Sequence, residues 1–145
     1  MATVKIGVIS CSGEDCLGGT ISRLATRKMM EEVRPGDAVT LCLPLFIAGG
    51  EEERGFAEAH PTITVDGCSK WCAKRATERL SGKVSDAVQV EDIIGSEAAR
   101  GSILSTRQLR PEHLEMVDKV TEEIKKKFDL IVEEFAEQAM TIKLC

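Results

Sequence analysis

The fold is decided by the stretch VKIGVISCSGEDCLGGTISRLATRKMMEEVRPGDAVTLCL, residues 4–43. Its β-branched apolar run, Val4–Ile9, is followed by a glycine-rich loop and then by apolar residues at helical spacing from near Thr20, a candidate N-cap. Pro35 and Gly36 end this helix, and a second apolar run, Ala38–Leu43, predicts the next strand. A strand, a helix and a strand joined by short loops predict a βαβ unit with parallel strands.

The rest of the chain repeats this alternation. A strand over Thr62–Val65, a helix over Ser69–Leu80 and a strand over about Asp86–Ile94 are predicted. An apolar stripe predicts a helical region over about 111–140, and its members are Val117, Val120, Ile124, Phe128, Ile131 and Phe135. We therefore expect one α/β domain over residues 1–145, with a motif core at about 4–94. Its architecture is a small three-layer domain with a roughly four-stranded parallel sheet and helices on both faces.

The composition argues against two classes of protein, those that bind nucleic acid and those that span a membrane. The net charge is −5, basic residues are interleaved with acidic ones, and aromatic residues make up only 3% of the chain, which argues against nucleic-acid binding. The longest apolar run, Leu41–Ala48, contains Pro44 and is too short for a membrane span. The N-terminus enters a strand pattern at once, so no signal peptide and a cytoplasmic location are expected. The expected partner is a small molecule or a protein of unknown identity.

Cysteines follow three of the predicted strands. Cys11, Cys42 and Cys68 each come directly after an apolar run, and Cys72 follows Cys68 by about one helical turn. Parallel strands place such residues at the same carboxyl edge of the sheet, where open α/β proteins bind their ligands. Six cysteines in a chain without a secretory signal are more typical of metal binding or catalysis than of a disulfide scaffold. A metal site or a thiol-chemistry centre is predicted there.

Thiol chemistry is the alternative interpretation of the same residues. If a helix begins at Ser69, its dipole lowers the pKa of Cys68, which would then act as a nucleophile with Cys72 or Cys11 as its resolving partner. The usual redox motif has two residues between its cysteines, whereas Cys68 and Cys72 are separated by three. Asp66 either accepts N–H bonds from this turn or orients a metal ligand, and the glycines of the first loop are expected to permit tight turning beside a bound ion.

The motif Val65-Asp66-Gly67-Cys68-Ser69-Lys70-Trp71-Cys72-Ala73 resembles the DGC-domain family of zinc-binding proteins. It is preceded by Cys11-Ser12-Gly13 and by Cys42-Leu43 before a Gly-Gly loop, and the resemblance extends from about Val4 to Ile94. The resemblance implies a zinc site formed by Cys11, Cys42, Cys68 and Cys72, with Cys16 as an additional candidate ligand. An iron–sulfur centre is the alternative cofactor for the same thiols. The resemblance implies no biochemical role and nothing for the chain from Gly95 onward.

Overall fold

A computed structural model describes residues 4–11, 13, 15–102 and 105–144. These residues form a four-stranded parallel sheet in the order β2-β1-β3-β4. The strands are β1 (Ile6–Ser10), β2 (Ala38–Val39), β3 (Thr62–Asp66) and β4 (Asp86–Gln89). The predicted parallel α/β fold is confirmed.

Eight α-helices accompany the sheet in the described residues. They are α1 (Leu17–Lys28), α2 (Leu43–Ala48), α3 (Glu51–Arg54), α4 (Phe56–Ala59), α5 (Cys72–Leu80), α6 (Val90–Ile94), α7 (Ser96–Ala99) and α8 (Pro111–Leu144). A π-helical turn, Met29–Val33, extends α1, and a 3-10 turn, Thr106–Gln108, precedes α8.

Two hydrophobic clusters cover the two faces of the sheet. Ile6 and Val8 of β1 pack with residues of α1 and α8 in the larger cluster, while Ile9 packs with Phe46 of α2 and Ala73 of α5 in the smaller one. Successive strand residues point to opposite faces, so this alternation produces three layers. The first crossover leads from β1 to β2 on one side of it. The chain then crosses to β3 on the other side of β1 and continues to β4 at that edge. Right-handed crossovers then require α1 and α5 to lie on opposite faces, as observed.

Four predicted boundaries are wrong. The second strand, expected over Ala38–Leu43, ends at Val39, because Cys42 is the N-cap of α2 and Pro44 lies in its first turn. The first helix begins at Leu17 and not near Thr20, which is buried inside it. The fourth strand ends at Gln89, because the apolar residues of the next segment recur at helical spacing and α6 packs them into the larger cluster; they are Val90, Ile93 and Ile94. The helix expected from Ser69 begins at Cys72, for a reason given below.

The predicted stripe on the last helix is buried only as far as Ile131. Phe135 is 38% exposed, and residues 132–144 are all exposed. The described residues of the domain therefore bury no side chain in the last turns of α8. The helix continues through Asp129, whose carboxylate binds Arg34 and Lys125 at 2.7 and 2.9 Å. In the residues that the structure describes, no helix has both the length and the apolar composition that a membrane span needs.

Candidate functional site

The candidate site lies where the chain changes direction in the sheet. Strand β1 is flanked by β2 on one side and β3 on the other, so a crevice opens between the carboxyl ends of β1 and β3. Cys11 comes directly after β1, Cys68 comes shortly after β3, and Cys42 is the N-cap of α2 shortly after β2. The sheet order therefore places these three predicted cysteines at the carboxyl ends of adjacent strands.

Backbone-to-backbone contact between glycines joins the two loops at this crevice. A Cβ on Gly67 would lie 2.5 Å from the carbonyl carbon of Gly18 and 2.7 Å from Cα of Gly19. A Cβ on Gly19 would in turn lie 3.0 Å from the carbonyl carbon of Gly13. Tight turning was the predicted role of the loop glycines, and it applies to Gly13, whose φ is +78°. Gly18 and Gly19 instead let the first turn of α1 touch the Asp-Gly-Cys turn.

Asp66 caps helix α5 from the end of β3. Its carboxylate is buried and accepts hydrogen bonds from the backbone N–H groups of Ala73 (Oδ1, 2.7 Å) and Lys74 (Oδ2, 3.1 Å). These donors belong to the first turn of α5, whose N–H groups have no partner within the helix. This cap fixes the start of the helix at Cys72 and leaves Cys68 in the preceding turn. Burial raises the pKa of Asp66, while the two N–H donors and Lys74 act to lower it.

Burial favours the neutral thiol of Cys11, while its two hydrogen-bond partners act against this. Its Sγ lies 3.3 Å from Oγ of Ser22 and accepts a hydrogen bond of 3.4 Å from the backbone N–H of Gly67. The Ser22 hydroxyl is itself anchored on the backbone carbonyl of Gly19, to which it lies at 2.7 Å. Burial raises the pKa of Cys11; the bonds to Ser22 and Gly67 lower it, and the charges of Asp66 and Cys72 raise it further.

Cys72 is the first residue of α5, and its thiol is exposed. Partial burial raises its pKa, and the charges of Asp66 and Cys68 add to this, whereas Lys70 and Arg75 act in the opposite direction. Cys11, Asp66, Cys68 and Cys72 are thus close enough to influence one another. The sequence-based argument began the helix at Ser69, directly after Cys68, and that premise is wrong, because α5 begins at Cys72.

Cys42 and Cys16 each lie at the start of a helix, Cys42 before α2 and Cys16 before α1. Cys42 is exposed, but the following residue, Leu43, packs into the same cluster that Cys11 contacts. Cys16 is the N-cap of α1, and its side chain lines a cavity of about 260 Å³ together with Cys68. In the described ranges, no three side chains among His, Cys, Asp and Glu are already arranged to hold a metal ion. The five candidate cysteines are therefore gathered at one edge without forming a closed ligand cluster.

A polar network that the sequence did not reveal fixes the Cys68–Lys70 turn. Glu91 of α6 accepts hydrogen bonds from the backbone N–H of Ser69 at 2.9 Å, from the Ser96 hydroxyl at 2.5 Å and from Nε of Arg100 at 3.2 Å. Arg100 also donates from Nη2 to the Ser69 hydroxyl at 2.7 Å. The bonds from Ser96 and Ser69 are the main reason that the pKa of Glu91 falls to about 2. The network ties the turn to α6 and α7.

Replacing Glu91 with Gln is expected to reduce stability above pH 4.5 and to have a diminishing effect below it. The folded-state pKa of Glu91 is about 2 against an ordinary value of 4.5, so its carboxylate stabilises the fold above pH 4.5. That contribution is lost as the pH falls from 4.5 toward 2. Urea unfolding of wild type and Glu91→Gln at several pH values measures this difference. If the difference in unfolding free energy between wild type and Glu91→Gln stayed constant from pH 7 down to about pH 2, the assigned role would be contradicted.

Comparison with protein families extends the match beyond the motif. The family model of the DGC domain matches residues 7–124, which include α6, α7 and residues 111–124 of α8 as well as the strands of the sheet. The resemblance predicted from sequence stopped at about Ile94, so the match also covers Arg100, which binds the Cys68–Lys70 turn. No curated protein and no solved structure matches the chain. The chain belongs to the DGC-domain family.

Proposed function

We propose that this protein binds a zinc ion through Cys11, Cys42, Cys68 and Cys72, with Cys16 as an additional candidate ligand. The observation that carries the proposal is the strand order β2-β1-β3, which brings cysteines from three separate loops to one edge of the sheet. Thiolates are the preferred ligands of structural zinc, which takes four of them in a tetrahedron. Cys42 and Cys72 are exposed, and the side chains must rotate inward to close around the ion.

The electrostatics of the site favour a cation. Burial and the nearby Asp66 carboxylate keep Cys11 and Cys72 protonated in the absence of metal. A divalent cation reverses this balance, because it stabilises the coordinating thiolates directly. Both oxygens of Asp66 are engaged by the first turn of α5, so its role is to position Cys72 and to supply negative charge beside the ion.

The same observations weigh against dithiol exchange by Cys68 with Cys72 or Cys11. To resolve a disulfide formed at Cys68, Cys11 or Cys72 must act as a thiolate, and the raised pKa of both makes them poor at forming one near neutral pH. An iron–sulfur centre would use the same four thiolates, and elemental analysis separates it from zinc. A site with four thiolates has no open position and suits a structural or sensing role, while three thiolates and a water would suit catalysis.

Replacing Cys42 with Ser is expected to lower the zinc content of protein purified anaerobically, because a serine hydroxyl is a poor ligand for zinc. Elemental analysis of wild type should give about one zinc ion per protein chain, because four thiolates coordinate one ion. Zinc added to metal-free protein should also release protons, since Cys11 and Cys72 must ionise to bind it.

Cys145→Ser is the matched control, because Cys145 lies outside the predicted ligand set and outside the described residues. Its zinc content should equal that of wild type. Cys16→Ser then shows whether the first loop supplies one ligand or two. Equal zinc content in wild type and Cys42→Ser would refute the proposed ligand set, and iron in place of zinc would favour the cluster alternative.

A further inference from the structure

The geometry points to a second binding site, which shares Cys68 and the additional candidate Cys16 with the proposed metal site: a pocket for the carboxylate or phosphate group of a small molecule. The cavity of about 260 Å³ lies at the crevice between β1 and β3, between the start of α1 and the Cys68–Lys70 turn. It is lined by Asp15, Cys16, Cys68, Ser69, Lys70 and Arg100. Its volume suits a ligand of a few heavy atoms, because sites for drug-sized molecules occupy about 300–1,000 Å³.

Arg100 is the group best placed to recognise an oxyanion. Its Nε and Nη2 are fixed by Glu91 and by the Ser69 hydroxyl, so the guanidinium plane is held in one orientation. Among the described residues Nη1 has no hydrogen-bond partner, and the side chain is 59% exposed at the cavity wall. A guanidinium held in this way offers its remaining N–H donors to a carboxylate or a phosphate in a planar arrangement.

Lys70 supplies a second positive charge that a ligand can take over. Its ammonium lies 3.3 Å from the carboxylate of Asp15, but the two side chains are 70% and 92% exposed. Water screens an ion pair that is this exposed, so the pair adds little stability and exchanges easily for another anion. Asp15 therefore competes only weakly with a bound ligand for the Lys70 ammonium.

The charge of this cavity differs from that of the chain. Lys70 and Arg100 outnumber Asp15 among its lining residues, whereas the whole chain has a net charge of −5. The nearby carboxylate of Glu91 is already bound by Ser69, Ser96 and Arg100. A ligand held by its oxyanion would lie beside the sulfur atoms of Cys16 and Cys68, which places it next to the proposed zinc ligands without depending on the metal.

The test measures anion binding by metal-free protein, stripped on a chelating resin and kept at constant ionic strength with chloride. Inorganic phosphate and succinate are the two probes, and fluorescence of Trp71, the single tryptophan, which lies in the turn beside the cavity, reports binding. Asp15→Asn should tighten binding and Lys70→Gln should weaken it, each by about two- to fivefold, as expected for an exposed ion pair. Lys83→Gln, a surface change near the amino end of β4, should leave the affinity unchanged.

Saturation by phosphate alone would assign the pocket to phosphate esters, and saturation by succinate alone would assign it to carboxylates. The absence of saturable binding by either anion would overturn the inference. Equal affinities in wild type, Lys70→Gln and Asp15→Asn would also overturn it, because binding would then lie elsewhere. Because the protein carries no metal in this experiment, its result is independent of the zinc measurement.

Discussion

Gly67→Ala is expected to destabilise the protein by about 3 kcal/mol or more, at the severe end of overpacking substitutions. The new methyl group would lie 2.5 Å from the carbonyl carbon of Gly18 and 2.7 Å from Cα of Gly19. Both neighbours are backbone atoms in the first turn of α1, so no side-chain rotation relieves the clash. The φ angle of Gly67 is not positive, and the effect is therefore one of space and not of backbone conformation.

Gly55→Ala is the matched control for this substitution. Gly55 has a φ of −83°, and the atom nearest to an added Cβ is 3.8 Å away, which is an ordinary contact. Urea unfolding should place Gly55→Ala near wild type and Gly67→Ala far below it. A Gly67→Ala protein as stable as the control would show that the two loops are not in backbone contact. The same variant should also lose zinc if the proposed site exists, since Cys11 and Cys68 would be pushed apart.

Gly67 illustrates what the sequence could and could not predict about the site. The positions of Cys11, Cys42 and Cys68 at the sheet edge follow from apolar runs that each end in a cysteine, because this pattern is local. The contact of Gly67 with Gly18 and Gly19 joins residues that are far apart in sequence and depends on how α1 packs over β3. Glycine in a loop predicts a turn, and only the fold shows that here it permits close approach.

The element boundaries also differ in whether they depend on local sequence or on contacts between distant residues. The predicted sheet was correct because β-branched runs between turn signals specify buried parallel strands without further context. The end of β4 was misplaced because Val90 continues the apolar run, although it and Ile94 are spaced as on a helix. The start of α5 was misplaced because its cap, Asp66, is on a strand and not adjacent to the helix. Glu91 and Arg100 were missed because their contacts with Ser69 are likewise long-range.

Asp66→Ala is expected to lower the free energy of unfolding by about 2–4 kcal/mol, because it removes two hydrogen bonds to a charged acceptor and leaves buried donors unpaired. The donors are the backbone N–H groups of Ala73 and Lys74, and without them paired the first turn of α5 should fray. Asp66→Asn keeps one acceptor oxygen, so its loss should be smaller, about 1–2 kcal/mol. Equilibrium urea unfolding compares the two variants with wild type, and equal losses in both would show that charge and not capping is what matters.

Asp66→Asn should also make Cys11 and Cys72 more reactive in metal-free protein. Burial is the largest cause of the raised pKa of both thiols and the Asp66 carboxylate raises it further, so removing that charge shifts each toward thiolate at neutral pH. Alkylation with peptide mapping measures each cysteine separately, and Cys145 gives the rate of a thiol that is not among the proposed ligands. A purely structural role for Asp66 would predict faster alkylation in Asp66→Ala, the less stable variant, than in Asp66→Asn, with no change in the pH at which each thiol becomes reactive. A downward shift of the reactive pH for Cys11 and Cys72 in Asp66→Asn, with the rate at Cys145 unchanged, would instead show that the central aspartate of the Asp-Gly-Cys motif sets the charge at the candidate metal site.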